Sequence, residues 1–261
     1  TLSRRIKNYE IANGLKLFDR LKEGMRITEE GLKIVDTAQK MEQLVNEMDL
    51  NQYAVNNDMS GPLKVAIPQL IIKYALMDII EDFIKTYPQI QLSVIVTNDF
   101  VSFSRRQADI AIRATNEPEK GLWGRKILDQ KRGYFGASKL ANAPEKLVQL
   151  PLLNFNWHGF STPEAIKSVF PNAKTTLLFD DMIAALFAAE AGLGILRMPC
   201  FIGNGNNLLK PITKLACEYY SEIWALTHPD LKKNVKVKTF MSFTTQRLQQ
   251  KKALFSDYIF N

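Results

Sequence analysis

Beyond residue 62 the chain alternates short apolar runs with longer amphipathic stretches, and this alternation restricts the folds that it can adopt. Strands are predicted at LKVAI, QLSVIV, DIAIRA, GYFGA, LPLLNF, TTLLF, GILRMP and SEIWALTH. Helices are predicted over residues 69–86, 180–191 and 235–255. Strands that alternate with helices are typical of an α/β fold, so we expect a largely parallel sheet with right-handed crossovers.

The order of these elements predicts two α/β subdomains with a cleft between them. Residues 62–137 together with 232–261 are assigned to the first subdomain, and residues 138–231 to the second. Where the strand order of such sheets switches, a crevice forms at the carboxyl ends of the strands. A chain of 261 residues with 46% hydrophobic content is long enough to bury cores of this kind, so we expect a ligand-binding cleft.

Residues 28–61 are predicted to form a linker helix followed by a linker. Thr28 can cap this helix, and Glu29 and Glu30 complement the positive end of the helix dipole. Apolar residues then recur at heptad spacing, at Ile34, Ala38, Met41, Val45 and Met48. This seam predicts pairing with a second helix in a homodimer or homotetramer, while a helix packed on its own domain would show the same short pattern.

The first 27 residues are basic, with seven Lys/Arg and three Asp/Glu, whereas residues 28–61 carry two Lys/Arg and seven Asp/Glu. Leu2, Ile6 and Tyr9 have helical spacing, and Asn13-Gly14 predicts the end of that helix. Two short apolar runs follow and predict a β-hairpin with charges at its tip. A basic segment joined to an acidic one is typical of a segment that binds nucleic acid followed by a spacer that does not contact it.

Several classes of protein are disfavoured by the sequence. The longest apolar stretches, residues 66–72 and 182–189, are far shorter than the ~20 residues that cross a bilayer. The opening residues contain no apolar signal core, and two cysteines, Cys200 and Cys217, cannot build a disulfide scaffold. We therefore expect a cytoplasmic protein with reduced thiols and no membrane partner.

No catalytic, metal or cofactor site is predicted, so we expect a protein that is not an enzyme. The two histidines, His158 and His228, lack metal-ligand spacing with each other or with cysteine. The serines lack a nucleophile-elbow pattern, and the strings GLG and GNG do not continue into a phosphate-binding loop.

Strings along essentially the whole chain are similar, in order and spacing, to those of one known family. SRRIKNYEIANGLKLFDR followed by MRITEEG resembles a recognition helix, strand and wing. GPLKVAIP, FIKTYPQIQLSV, ADIAIR, GASKLA, AGLGILRMP and VKVKTFMSF resemble parts of an effector-binding domain. The family is that of the LysR-type transcriptional regulators, and the chain departs from its pattern at Tyr9 and Asn13, where leucine is usual.

This resemblance implies a two-subdomain, periplasmic-binding-protein-like effector domain preceded by a linker helix and a partial winged helix-turn-helix in residues 1–27. The family has two helices before the recognition helix, so an N-terminally truncated member is expected. The implied DNA contacts are Ser3, Arg4 and Arg5 in the major groove, and Arg20, Lys22 and Arg26 at the wing. The alternative for these residues is a solvated surface.

The resemblance also implies that a small effector, often an anion, binds in the cleft. The implied contacts are Pro68, Gln69, Thr97, Asn98, Arg113, Thr115, Asn154 and Phe155. Each follows a strand or begins a helix, where backbone N–H groups can bind a carboxylate. Two of these positions have a structural alternative, since Arg113 can pair with Asp109 or Glu117 and Gln69 can cap a helix.

The function expected from the resemblance is sequence-specific binding to double-stranded DNA, switched by a small-molecule effector. Two alternatives remain at this point. One is a truncated fragment that binds ligand or dimerises without binding DNA. The other is a solute-binding protein of the periplasmic type, which shares the two-subdomain cleft but would lack the basic segment and the seam.

Overall fold

The structure, a computed structural model, describes residues 2–21, 24–35, 37, 38, 41, 59–98, 103 and 107–259. The predictions for Lys22, Val45 and Met48 lie outside these residues. For Ser3 and Arg20 the description covers the backbone alone.

A helix and a hairpin form the first part of the chain. Helix α1 is Leu2–Asn13, and strands β1 (Phe18–Leu21) and β2 (Gly24–Ile27) pair antiparallel. Gly14 has a φ of 62°, a left-handed conformation that glycine adopts readily at helix ends. The Glu10 carboxylate accepts hydrogen bonds from the amides of Leu17 and Phe18 at 2.8 and 3.2 Å and so ties the hairpin to the helix. The predicted helix end and hairpin are confirmed.

Thr28 joins the hairpin to the next helix. Its Oγ1 accepts a hydrogen bond from the amide of Gly31 at 3.0 Å, which confirms the predicted cap. Helix α2 comprises residues 29–35, and residues 37, 38 and 41 are helical as well. A Cβ on Gly31 would lie 2.4 Å from the Leu17 carbonyl oxygen, so only glycine permits this close approach. On the seam, Ala38 and Met41 are exposed, and pairing of the seam stays a prediction.

Among the described residues from 59 to 259, nine strands form one sheet. They are β3 (Gly61–Ile67), β4 (Ile90–Val96), β5 (Ile110–Thr115), β6 (Trp123–Ala137), β7 (Leu150–Phe155), β8 (Ala173–Phe179), β9 (Ile195–Pro199), β10 (Leu209–Pro211) and β11 (Glu218–Thr227). Their order is β4-β3-β5-β11-β6-β9-β7-β8, and β10 pairs with β6. Below, the first half means β4, β3 and β5, the second half means β9, β7 and β8, and the central strands are β11 and β6.

The sheet is parallel within each half and antiparallel at its centre. β3 pairs parallel with β4 and β5, and β7 pairs parallel with β8 and β9. β11 pairs antiparallel with β5 and β6, and β6 pairs antiparallel with β9 and β10. The expectation of a largely parallel sheet is therefore corrected to a mixed sheet, because a hydrophobic pattern identifies a strand but not the direction of its neighbours.

The two central strands also differ from their sequence assignment. β6 has 15 residues, of which only the GYFGA segment was predicted as a strand, because charged residues interrupt the pattern before it. β11 pairs with β5 from Glu222 to Thr227. Residues 218–227, which the sequence assigned to the second subdomain, form a strand that lies between the two halves, and the subdomain boundaries stay a prediction. Because β5 and β11 are far apart in the sequence, no local sequence pattern predicts that they pair.

Helices pack against the sheet. Helix α3 (Gln69–Ile71) continues through a π-helical turn (Ile72–Leu76) into α4 (Met77–Thr86), and the others are α5 (Ser138–Ala141), α6 (Glu164–Lys167), α7 (Met182–Glu190), α8 (Cys200–Asn204), α9 (Val235–Gln250) and α10 (Lys252–Ser256). Short 3₁₀ helices lie at Pro144–Lys146, Asn156–His158 and Pro229–Lys233. The predicted helices at residues 69–86, 180–191 and 235–255 are confirmed within a few residues.

The largest hydrophobic core spans both halves of the sheet. In it the rings of Phe83 and Phe240 meet at 4.9 Å between centroids, with an interplanar angle of 76°. A second cluster covers the opposite face of the second half, since Leu153 belongs to the large core whereas Leu152 belongs to this cluster. Successive strand residues point to opposite faces, so the second half is buried on both.

Within the described ranges, no helix combines the length and the apolar character needed to cross a membrane.

Candidate functional site

A cavity of about 330 Å³ lies where the second half of the sheet meets the two central strands. Its walls come from β6, β7, β9 and β11 and from the segment after β7. The lining residues are Arg132, Tyr134, Leu152, Leu153, Asn154, Phe155, Trp157, His158, Ser161, Pro163, Met182, Leu196, Arg197, Met198, Pro199 and Tyr220. This volume is at the lower end of the range for small-molecule sites.

Strand geometry brings these residues together. Asn154 and Phe155 end β7, and Met198 and Pro199 end the parallel strand β9. The carboxyl ends of parallel strands share one edge of a sheet, which is where open α/β sheets bind ligands. Tyr220 lies at an irregularity in the pairing of β11 with β6, and such a bulge redirects a side chain.

Two arginines give the cavity its charge. Arg197 of β9 forms an ion pair with Glu218, and Arg132 Nη2 of β6 lies 3.9 Å from the same carboxylate oxygen. No acidic side chain is among the described residues that line the cavity. Because two guanidinium groups share one carboxylate, the site has a local excess of positive charge.

Tyrosine rings lie against both guanidinium groups. Arg132 Cζ is 5.1 Å from the ring centroid of Tyr220, and Arg197 Cζ is 5.7 Å from that of Tyr134, which are cation–π distances. Burial raises the pKa of Tyr134, and the nearby charge of Arg197 only partly opposes this, so the phenol is protonated at neutral pH. The Arg132 Nε atom is buried and has no hydrogen-bond partner within the described part of the chain.

An aromatic pair forms another wall. The rings of Phe155 and Trp157 stack at 4.6 Å between centroids, with an interplanar angle of 8°. Phe155 is buried, whereas Trp157 is 66% exposed. Asn154 donates a hydrogen bond to the Gly159 carbonyl at 3.3 Å and holds the segment that carries Trp157. Gly159 has a φ of 63°, which favours glycine at this turn.

Two free thiols lie beside the cavity. The Cys200 and Cys217 sulfur atoms are 3.4 Å apart. Cys200 follows Pro199, which lines the cavity, and Cys217 precedes Glu218, which pairs with both arginines. Burial raises the pKa of both thiols.

The structure places the eight expected effector residues in different surroundings. Asn154 and Phe155 line the large cavity. Arg113 and Thr115 line a second cavity of about 10 Å³ in the first half. Pro68, Gln69, Thr97 and Asn98 line neither of these two cavities.

Local hydrogen bonds hold the expected residues of the first half. Arg113 Nη1 donates to the Asn98 carbonyl at 3.1 Å, and its side chain is buried. The Thr115 hydroxyl forms a turn with Glu117, accepting from its amide at 3.1 Å and donating to its carbonyl at 3.0 Å. Pro68 is the N-cap of α3 and no side-chain hydrogen bond caps this helix, so Gln69 does not cap it.

Sequence reasoning did not identify Arg132, Arg197, Trp157 or Tyr220 as candidates. One signal was available for Arg197, since it is a charged residue inside the otherwise apolar string GILRMP. Its neighbour in the cavity, Arg132, lies in a charged stretch of β6 where a further arginine carries no such signal.

The expected DNA contacts lie on α1 and on the hairpin. Arg4 and Arg5 are exposed on α1, and Ser3 belongs to the same helix. Arg20 is in β1, and Arg26 is exposed in β2, where its Nη2 lies 3.8 Å from the Asp19 carboxylate. Asp19 also pairs with Lys16 at 2.9 Å, so one acidic group faces two cations at the base of the hairpin.

The candidate site contains no evident metal centre. No group of three or more His, Cys, Asp or Glu side chains is placed to hold a metal ion in the part of the chain that the structure describes.

Comparison with known proteins identifies the family. The profile of the LysR substrate binding domain matches residues 56–249. The HTH-type transcriptional regulator CrgA of Neisseria meningitidis serogroup C is 24% identical over 271 residues, covering 95% of this chain and 87% of CrgA. The HTH-type transcriptional regulator PtxR of Pseudomonas aeruginosa is 24% identical over 77% of this chain and 68% of its own length.

Solved structures agree with this fold. The structure of CrgA from Neisseria meningitidis has a TM-score of 0.61 at 20% identity and covers 94% of this chain and 88% of that one. Full-length AphB of Vibrio cholerae has a TM-score of 0.59 at 17% identity, with the same coverage of 94% and 88%.

The fold and the cavity together define a periplasmic-binding-protein-like α/β effector domain, as predicted. The chain belongs to the LysR-type transcriptional regulators, which confirms the family expected from the sequence, and the relatives named above are transcriptional regulators.

Proposed function

We propose that this chain is a sequence-specific DNA-binding transcriptional regulator whose activity is switched by a small-molecule effector. The observation that carries the proposal is the 330 Å³ cavity between the second half and the central strands, on a chain whose basic helix also leaves its arginines exposed. The names of its HTH-type relatives support the DNA-binding part. The proposed place of action is the cytoplasm, where such a protein meets DNA.

The proposed DNA-binding surface is the exposed side of α1 together with the hairpin. Arg4 and Arg5 are proposed to contact bases in the major groove, since arginine can donate two hydrogen bonds to guanine, and Ser3 suits a base edge or a phosphate. Arg20, Lys22 and Arg26 are proposed to contact phosphates at the wing. Loss of the phosphate contacts at the wing should lower the affinity for DNA and its salt dependence more than the preference for a sequence.

The proposed effector site is the large cavity, with Asn154 and Phe155 as contacts. The remaining expected positions, Pro68, Gln69, Thr97, Asn98, Arg113 and Thr115, stay predictions. An effector acts by preferring one of two arrangements of the protein, and that preference changes its interaction with DNA. An anion suits the excess of positive charge at Arg132 and Arg197.

The proposed assembly is a homodimer or homotetramer that pairs along the seam from Ile34 to Met48. Its seam leaves Met41 64% exposed in the single chain, which a partner helix would cover. A two-fold dimer presents two recognition helices to two half-sites, so the DNA site should be a two-fold repeat.

Selection from random double-stranded DNA tests the DNA-binding part. The full chain is incubated with the library at low and moderate salt, and the bound fraction is sequenced over successive rounds. Enrichment of a two-fold motif supports the proposal, and Arg5→Ala should reduce the enrichment whereas Arg125→Ala, on β6 away from α1, should not. Absence of any enriched motif contradicts sequence-specific binding by this chain and favours a ligand-binding fragment.

A further inference from the structure

We infer that the ligand of the large cavity is a small aromatic carboxylate, with its carboxylate at Arg132 and Arg197 and its ring against Trp157. The inference rests on the proposed function, because it names the ligand class for the proposed effector site. Charge, preorganisation and the shape of the apolar wall each contribute a separate part of the argument.

The charge of the site selects a monoanion. Arg132 and Arg197 share Glu218 as their common carboxylate, and the other described lining residues include no acid. One additional negative charge therefore balances the pair. A phosphate dianion would carry more negative charge than this pair can balance, and it would lie beside the Glu218 carboxylate. It would also lose its hydration on entering a cavity that is lined mostly by apolar side chains.

The two guanidinium groups are already positioned for a planar acceptor. Each lies against a tyrosine ring, Arg132 at Tyr220 and Arg197 at Tyr134, which restricts its rotation before any ligand binds. A carboxylate accepts paired hydrogen bonds from such a guanidinium fork.

The aromatic part of the lining suits a flat ring. Trp157 stacks on Phe155 and is 66% exposed, which leaves ring surface available to a ligand. Apolar side chains make up much of the remaining lining: Leu152, Leu153, Leu196, Met198, Met182 and Pro163. Aromatic rings prefer such offset-stacked contacts, and the small volume of about 330 Å³ limits the ligand to a small molecule.

Calorimetric titration of the full chain, without DNA, tests the inference with a set of matched probes. Benzoate carries both the charge and the ring, benzamide keeps the shape without the charge, and acetate and inorganic phosphate carry charge without a ring. We expect benzoate to bind and benzamide to bind about 10- to 100-fold more weakly, as loss of hydrogen bonds between charged groups implies. Acetate and phosphate should bind more weakly than benzoate.

Variants connect this binding to the named side chains. Arg197→Met and Arg132→Met should each weaken benzoate binding by about 10-fold or more, and Trp157→Ala should weaken it less. Trp157→Phe should restore part of the loss, because it keeps a flat ring. Arg125→Met, on the same strand as Arg132 but outside the cavity lining, should leave binding unchanged. Circular dichroism and thermal melting confirm that each variant is folded.

Several outcomes overturn the inference. These are equal binding of benzamide and benzoate, acetate or phosphate binding as tightly as benzoate, unchanged binding in both arginine variants, or no benzoate binding at millimolar concentration. Because the titration contains no DNA, its failure is distinct from failure of the DNA selection. A chain that selects a DNA motif but ignores aromatic carboxylates keeps the proposed function and loses this ligand class.

Discussion

The two halves of the sheet have the same strand order but different open edges. Both place three parallel strands in matching sequence, β4-β3-β5 and β8-β7-β9, so both have an edge of carboxyl strand ends. In the first half Arg113 donates to the Asn98 carbonyl at 3.1 Å, and the cavity beside it measures about 10 Å³. In the second half the corresponding space is about 330 Å³. The topology therefore places a potential ligand-binding edge in each half, and the side chains determine which of the two edges has space for a ligand.

The arginines in the two halves account for much of this difference. In the first half the guanidinium of Arg113 is buried and bonded within the half. Beside the open edge, Arg132 of the central strand β6 and Arg197 of β9 in the second half are partly exposed and share one glutamate, so they can accept a further anion. The same residue type is therefore structural at one edge and available to a ligand at the other.

The largest expected effect contrasts an aromatic ring of the core with one of the cavity wall. Phe83→Ala should lower the free energy of unfolding by about 3–5 kcal/mol, because Phe83 is 1% exposed and its ring meets Phe240. Trp157→Ala should change the free energy of unfolding by under about 1 kcal/mol, because its ring is mostly exposed. Urea denaturation measures both. A large loss of stability in Trp157→Ala would show that the cavity wall is part of the core.

The next effect tests the two kinds of arginine. Arg113→Met should lower the free energy of unfolding by about 1–3 kcal/mol, because it leaves the Asn98 carbonyl without its donor, and it should weaken benzoate binding less than Arg197→Met does. Arg197→Met should have the opposite pattern, with near-normal stability and impaired binding. Denaturation and calorimetry on the same preparations separate the two. If Arg113→Met abolished ligand binding without loss of stability, the contrast between the edges would be wrong.

A smaller effect concerns the thiols beside the open edge. Burial raises the pKa of Cys200 and Cys217, so less thiolate is present at neutral pH than in a free cysteine, and alkylation by iodoacetamide should be slow. The rate should rise with pH and should continue to rise above the ordinary thiol pKa of about 8.5, where the rate of a free cysteine levels off. Since the folded-state pKa is the higher one, ionisation also lowers stability as pH rises beyond that value. Mass spectrometry of quenched samples measures the rate, with urea-unfolded protein as the fast control.

The smallest effect is expected for a surface ion pair of the first half. Lys85 and Glu81 lie 2.5 Å apart on α4, but both side chains are more than half exposed. Lys85→Ala should therefore change the free energy of unfolding only slightly, less than any substitution described above, and high salt should reduce the difference further. Paired melts at low and high salt measure it. A loss near that of Arg113→Met would mean that this surface pair stabilises the first half far more than its exposure implies.

Sequence patterns predicted the strands and helices whose apolar residues recur in a regular pattern. The strand LKVAI and the helix over residues 69–86 have continuous apolar or helical patterns, and both are present. The early part of β6 was not predicted, because Arg125, Lys126 and Asp129 interrupt its apolar pattern while the strand pairs with β11 along this stretch. Periodicity detects burial, and a strand with charged residues on one face gives a weak signal.

The site was partly predictable for the same reason. Asn154 and Phe155 were expected from the rule that ligands bind at strand ends, and they line the large cavity. The same rule also selected Arg113, because it considers only the position at a strand end. It gives no information on whether the guanidinium already bonds to a nearby carbonyl, as that of Arg113 does. Arg132 and Arg197 come from strands far apart in sequence, and their convergence depends on the antiparallel pairing of β6 with β9. No local pattern encodes such a pairing.

The continuity of β6 limits how the two halves can move. One strand of 15 residues pairs with β11 over its first part and with β9 and β10 over its last part, with Arg132 at the transition. The halves are thus joined along this strand by a hydrogen-bonded ribbon rather than by a loose tether, and rotation of one against the other requires torsion of that ribbon. A molecule bound at Arg132 would contact the transition itself, so we predict that a small change in side-chain position there changes the angle between the ends of the sheet.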